Sequence, residues 1–224
     1  MNNYSYVKKK FFCYYFIMGK KIFFLFLSIL FFSFFIFFSY LVKKDLFVQW
    51  DFDTTVRLQN KTPTFLDPYF STLSLIGSFE IYTLLIFVII LLRKKLISFL
   101  VYLPYGLAHI IEIIGKTFLD HSPPPFLFHR YSLGFHFPSS YIQPGNTYPS
   151  GHSLRTVFIS FLIGYLILNS KIKKPLKIFL ISILFVFNFL MLLSRVTLGE
   201  HWSTDVLGGV LLGISSSFFA LLFL

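Results

Sequence analysis

Residues 176–224 read LKIFLISILFVFNFLMLLSRVTLGEHWSTDVLGGVLLGISSSFFALLFL: two apolar runs, Leu176 to Leu193 and Val206 to Leu224, around a polar island. Each run is about 20 residues long, the length a helix needs to cross a hydrocarbon core of about 30 Å. The island, Ser194 to Asp205, is then the turn that joins two membrane helices at one face of the bilayer.

Four more apolar runs precede this pair: Ile22 to Val42, Leu73 to Leu92, Leu96 to Gly115 and Ser153 to Leu168. The expected fold is all-α, an integral membrane bundle of six transmembrane helices forming a single domain over 1–224. The composition agrees, with 56% hydrophobic and 13% charged residues, a balance foreign to soluble domains. Most of the 33 Phe residues lie in the runs, and a lone Cys13 can form no intrachain disulfide and has no companions for a metal cluster. Basic residues before Ile22 give the N-terminus the look of a secretory signal. The run is long for one, and Phe38-Ser39-Tyr40-Leu41-Val42-Lys43 lacks a small-x-small cleavage pattern. A retained span after a 1–21 N-terminal segment is expected.

A net charge of +11 would suit nucleic acid, but the basic residues flank the spans. Alternate loops hold Lys8, Lys9, Lys10, Lys20 and Lys21, then Arg93, Lys94 and Lys95, then Lys171, Lys173, Lys174 and Lys177, with no Asp or Glu among them. The positive-inside rule expects these loops and both termini in the cytoplasm of a bacterial plasma membrane, and the other loops outside. The partner is a lipid bilayer rather than nucleic acid; nothing in the sequence sets an oligomeric state. Of the outer loops, Lys43 to Thr72 carries Asp51-Phe52-Asp53 and Asp67-Pro68 among aromatics and suits a short interfacial helix. The longest, 117–152, is rich in turn formers: Ser122-Pro123-Pro124-Pro125, Phe137-Pro138-Ser139-Ser140 and Gln143-Pro144-Gly145-Asn146.

His201 and Asp205 in the island are four apart and share one face if the segment is helical. A carboxylate beside an imidazole fixes its tautomer and stabilises the imidazolium, leaving the other ring nitrogen to attack or to take a proton. An interfacial pair at a helix start is the plainer reading of the same residues. Pro149-Ser150-Gly151-His152 precedes the fourth span on the same predicted membrane face. Such a turn presents backbone N–H groups, a hydroxyl and the positive end of a helix to an anion, with His152 placed to act on it.

Together the two motifs resemble the second and third signatures of the phosphatidic acid phosphatase type 2 superfamily, which includes six-span lipid phosphatases. The third fits at Ser194, Arg195, His201 and Asp205, the second at Pro149 to His152, and the resemblance extends over about residues 70–224. It implies that His201 attacks phosphorus to form a phosphohistidine, that Asp205 orients it, and that His152 protonates the leaving alkoxide and later activates water. Arg195, Ser150 and the Gly151 backbone N–H would hold the phosphoryl oxygens, with no metal or other cofactor. The implied substrate is a membrane lipid phosphate: undecaprenyl pyrophosphate first, with phosphatidylglycerol phosphate, phosphatidic acid or a glycolipid phosphate as alternatives. A lipid phosphotransferase using the same intermediate and a non-catalytic lipid-binding protein are the competing readings.

The first signature departs from the family pattern of Lys, six residues, Arg, Pro: after Lys116, Pro123 occupies the Arg position. Arg155, three residues after His152, is expected to supply the missing charge from the same helical face; snorkelling to the headgroups is the competing role. His109, Glu112 and Lys116 form a polar stripe on the third span, where ionisable residues are functional candidates. Glu112 is expected to pair with Lys116, the latter a phosphate ligand. A metal site from His109, Glu112, His121 and His136 has no recognisable ligand spacing. His129, Arg130 and His136 suit headgroup or solvent contacts.

Overall fold

A computed structural model of the chain describes residues 3–93, 96–135, 137, 138 and 145–224, with side chains described from Met18 onward. His136, Lys94 and Lys95 lie outside the described residues, as do Ser139, Ser140, Gln143 and Pro144 of the turn-rich loop. Eight α-helices occur among the described residues: α1 (Asn3–Lys43), α2 (Val48–Lys61), α3 (Asp67–Ile76), α4 (Phe79–Arg93), α5 (Tyr102–Phe118), α6 (Gly151–Asn169), α7 (Lys174–Thr197) and α8 (Ser203–Ala220). Among the described residues five helices are long and apolar enough to cross a membrane, Met18–Lys43, Leu96–Phe118, Gly151–Asn169, Lys174–Thr197 and Ser203–Phe223, and the bent pair Thr64–Ile76 with Phe79–Arg93 makes a sixth if it is one span. The chain is an all-helical integral membrane protein. Helix α1 runs unbroken from Asn3 through the first span to Lys43.

The continuous second span expected over Leu73 to Leu92 is corrected. It is broken between α3 and α4, which meet at 53°. The cause lies in the Gly77-Ser78 pair, a common origin of kinks. In an unbroken helix the Ile81 N–H would donate to the Gly77 carbonyl; instead it lies 3.4 Å from Ser78 Oγ. The freed carbonyl accepts from Arg155 Nε on α6 at 3.1 Å.

Helix α8 packs against α1, α5 and α6, and α6 also packs against α7. The α6–α8 approach requires glycine: a Cβ at Gly209 would stand 2.3 Å from the Ser150 carbonyl oxygen, and one at Gly213 2.7 Å from that of Leu154. Small residues four apart replace bulky side chains where membrane helices approach closely, since van der Waals contact rather than the hydrophobic effect drives them together. Tyr82, Ile86 and Ile90 of α4 pack with Tyr105 of α5, Phe158 and Leu162 of α6 and Ala220 of α8 in one buried cluster. By contrast Phe26 of α1 and Phe179, Phe185 and Phe189 of α7 are exposed, as side chains facing hydrocarbon would be.

At one end of the bundle lie α2 and the loop between α5 and α6. A short helix does form in the Lys43 to Thr72 loop: α2 leaves Val48 and Trp50 exposed and buries Asp51 and Thr55. The α5–α6 loop is irregular as expected, with a 3-10 turn at Phe126–Phe128.

Candidate active site

Four helix termini converge at the α2 end. Helices α6 and α8 begin side by side, joined by Ser150 N–H donating to the Asp205 carbonyl at 2.9 Å. Helix N-termini carry partial positive charge and unsatisfied N–H groups, so two together form an anion-seeking corner. Ser150 is the N-cap of α6, its Oγ 3.4 Å from Ser153 N and 3.1 Å from Ser153 Oγ. The last turns of α5 and α7 deliver Lys116 and Arg195 to the same end.

The island folds differently from the helical reading. Helix α7 ends at Thr197 and α8 starts at Ser203, leaving His201 in the connecting turn. The Arg195 carbonyl accepts from both Glu200 N and His201 N at 3.2 Å, a wrap made possible by Gly199 at φ +67°. Asp205, in the first turn of α8, reaches back to the imidazole. Its Oδ2 accepts from Trp202 N at 3.0 Å and lies 3.2 Å from His201 Nδ1. The pair therefore exists through helix capping rather than through a shared helical face, and it leaves Nε2 of His201 as the free ring nitrogen.

Glu112 forms the negative centre of the cationic side. Lys116 Nζ donates to its Oε1 at 2.8 Å, and Arg155 Nη1 lies 3.7 Å from Oε2. His109 Nδ1 is also 3.7 Å from that oxygen, one turn farther along α5. Arg155 is buried and turns inward to Glu112 and Gly77, not outward to headgroups. Gly151 closes this wall: a Cβ there would stand 2.1 Å from Glu112 Oε1 and 2.8 Å from Arg155 Nη1. His152 lies against the broken span, where a Cβ on Gly77 would meet its ring at 2.8 Å.

Arg195 is fully buried and held on three sides. It pairs closely with Glu200, donates through Nη1 to Ser74 Oγ of α3 at 2.8 Å, and reaches Ser194 Oγ through Nε and Nη2 at 3.2 and 3.0 Å. Ser74 and Glu200 have no counterpart in the sequence reading.

Asp51 of α2 is another residue the motifs did not reveal. Its Oδ1 accepts from Ser203 Oγ at 2.6 Å and Thr204 N at 2.9 Å, and its Oδ2 from Thr204 Oγ1 at 2.6 Å. It caps α8 from across the bundle and fixes where His201 and Asp205 sit. Tyr148, just before the Pro149 turn, is buried against Gly208 and lies 2.8 Å from Ser39 Oγ of α1. Burial pushes its phenol well above the usual tyrosine range, so it serves as a neutral partner.

The α5–α6 loop meets the turn after α7, where Arg130 N donates to the Leu198 carbonyl at 2.9 Å, but the Arg130 and His129 side chains take other partners. Arg130 grips Asp67 with Nε at 3.0 Å and Nη2 at 2.7 Å, and also donates to the carbonyls of Gln59 and Thr62. His129 stacks on Phe126. No group of three or more His, Cys, Asp or Glu among the described residues has metal-site geometry.

The PAP2 superfamily model matches residues 95–224, which contain every motif residue above. Phosphatidylglycerophosphatase B of Bacillus subtilis strain 168 is 33% identical over 129 residues, 54% of this chain and 55% of that protein. The match thus spans about half the length of that relative. Among solved structures, a transmembrane PAP2-type phosphatidylglycerolphosphate phosphatase from Bacillus subtilis superposes with a TM-score of 0.70 at 23% identity. It covers 87% of this chain and 94% of the other. Aquifex aeolicus LpxE gives 0.57 at 23% identity, over 76% and 93% of the two chains. Both likenesses establish a common fold.

Proposed function

Since this chain belongs to the PAP2 superfamily, we propose that it is a membrane lipid phosphatase working through a phosphohistidine on His201. The observation that carries the reading is the His201–Asp205 pair at the paired N-termini of α6 and α8, with Lys116, Arg155 and Arg195 delivered to the same end. Asp205 holds the Nδ1 proton, and Nε2 of His201 attacks phosphorus while the bond to the lipid oxygen breaks. His152 gives that oxygen a proton, then takes one from the water that cleaves the P–N bond and releases phosphate. Lys116, Arg155, Arg195, Ser150 and the Gly151 N–H bind the phosphoryl oxygens, whose negative charge shifts as phosphorus expands its coordination. These cations supply the charge stabilisation that a metal would otherwise bring.

The positive-inside distribution supports an extracytoplasmic position for this end of the bundle, where a lipid can keep its chains in the bilayer while its headgroup enters. The relatives' names support phosphatidylglycerol phosphate as the substrate to test first, with undecaprenyl pyrophosphate beside it. The deciding assay is phosphate release by purified protein from a panel of lipid phosphates, with EDTA present and with His201→Ala in parallel. Release should persist in EDTA and vanish in the variant. Activity lost to EDTA would end the metal-free mechanism, and activity retained by His201→Ala would remove the nucleophile.

A further inference from the structure

His121 lies in the loop after α5, inside the degenerate first signature, and none of the roles above uses it. Its Nε2 faces three groups: Thr204 Oγ1 at 3.1 Å, Asp205 Oδ1 at 3.4 Å and Asp51 Oδ2 at 3.8 Å. The Thr204 hydroxyl is already committed as a donor to Asp51, so toward His121 it can only accept. This fixes the proton on Nε2. Asp205 Oδ1 is fully buried and has no hydrogen bond among the described residues, while Oδ2 serves Trp202 and His201. A buried carboxylate oxygen without a donor is costly, and a small tilt of the ring would share the single Nε2 proton between Thr204 Oγ1 and Asp205 Oδ1 as a three-centre hydrogen bond.

We propose that His121 is a positioning residue for the reaction, acting through Asp205: its Nε2–H holds the carboxylate oxygen that His201 does not use. The inference rests on the catalytic reading of His201 and Asp205. With both oxygens held, the Asp205 carboxylate cannot rotate away from His201 when the imidazole gains positive charge on phosphorylation. The loop is braced for this task, because the His121 carbonyl accepts from Thr147 N at 3.1 Å, next to the Tyr148-Pro149-Ser150 turn. Asp51 from α2 and Tyr148, whose ring centroid lies 6.2 Å from the imidazole, complete the titratable groups around it.

The test compares His121→Gln, which places an N–H donor where Nε2 stands, with His121→Asn, which is too short to reach Asp205, and with His121→Ala. Phosphate release is measured on detergent-purified, monodisperse full-length protein. Asn and Ala should lower kcat about tenfold or more with KM little changed, and Gln should restore most of it. Equal kcat for Gln and Asn, or a change confined to KM, would overturn the proposal, and that comparison decides even if the Ala variant does not fold. Failure of the phosphatase reading itself would look different, with wild type releasing no phosphate or His201→Ala remaining active.

Discussion

Gly151 and Arg155 show how little slack the cationic wall contains. A methyl group at 151 has nowhere to go, since Glu112 and Arg155 already occupy its space. Gly151→Ala should leave less than about a hundredth of the wild-type phosphate release with the protein still membrane-inserted, because it displaces Arg155, a proposed phosphate ligand, and the Glu112 that holds Lys116. Arg155→Ala should lower kcat/KM by about a hundredfold, the scale of a lost transition-state donor, with Arg155→Lys recovering part of it. A drop no larger than that of a distant surface substitution would return Arg155 to a structural role. At this scale the sequence was informative where chemistry is local: His201 and Asp205, Ser150 and His152, Glu112 and Lys116 are each within four residues of their partners. The partners of Asp51 and Ser74 escaped notice for physical reasons. Asp51 caps a helix begun 152 residues later, and Ser74 meets Arg195 across 121 positions, so no spacing rule registers either.

Among the elements, the α5–α6 loop depends on a clasp. Arg130 binds Asp67 at the start of α3 and two carbonyls at the end of α2, and Gln59 returns the grip by donating to the Phe128 and Thr197 carbonyls. Both charges are largely buried. Arg130→Ala should therefore cost about 2 kcal/mol, between the exposed and fully buried limits for ion pairs, read as a lower Tm in detergent. An unchanged Tm would mean the clasp is ornamental. Hydropathy revealed the membrane helices because the apolar runs match bilayer thickness, and the Ser150 cap was visible as a Pro-Ser-Gly turn. It concealed the α3–α4 break, since Leu73 to Leu92 is apolar on both sides of Gly77. The Gly-Ser pair was the available signal, and its effect becomes plain once the Arg155 guanidinium is seen taking the released carbonyl.

For the molecule as a whole, orientation is the property the charges predict most directly. With Cys13 replaced by Ser, Leu127→Cys in intact cells should react with a membrane-impermeant maleimide, and Lys171→Cys should react after lysis alone. The reverse pattern would turn the end that carries His201 toward the cytoplasm. Both positions are exposed, so accessibility to solvent is not limiting. The bend at residues 77 and 78 gives this assembly a mechanical property as well. Helix α4 has 15 residues and reaches only about 22 Å at 1.5 Å per residue, short of a hydrocarbon core of about 30 Å. The angle between α3 and α4 must supply the rest, and its vertex is the carbonyl that holds Arg155. If Arg155 binds phosphate as proposed, a thicker bilayer that pulled on that vertex would reach the phosphate-binding side chains, so turnover should depend on membrane thickness. In proteoliposomes of monounsaturated phosphatidylcholines with acyl chains of about 14 to 22 carbons, kcat should pass through an optimum. With Ser78→Ala stiffening the joint, that optimum should narrow.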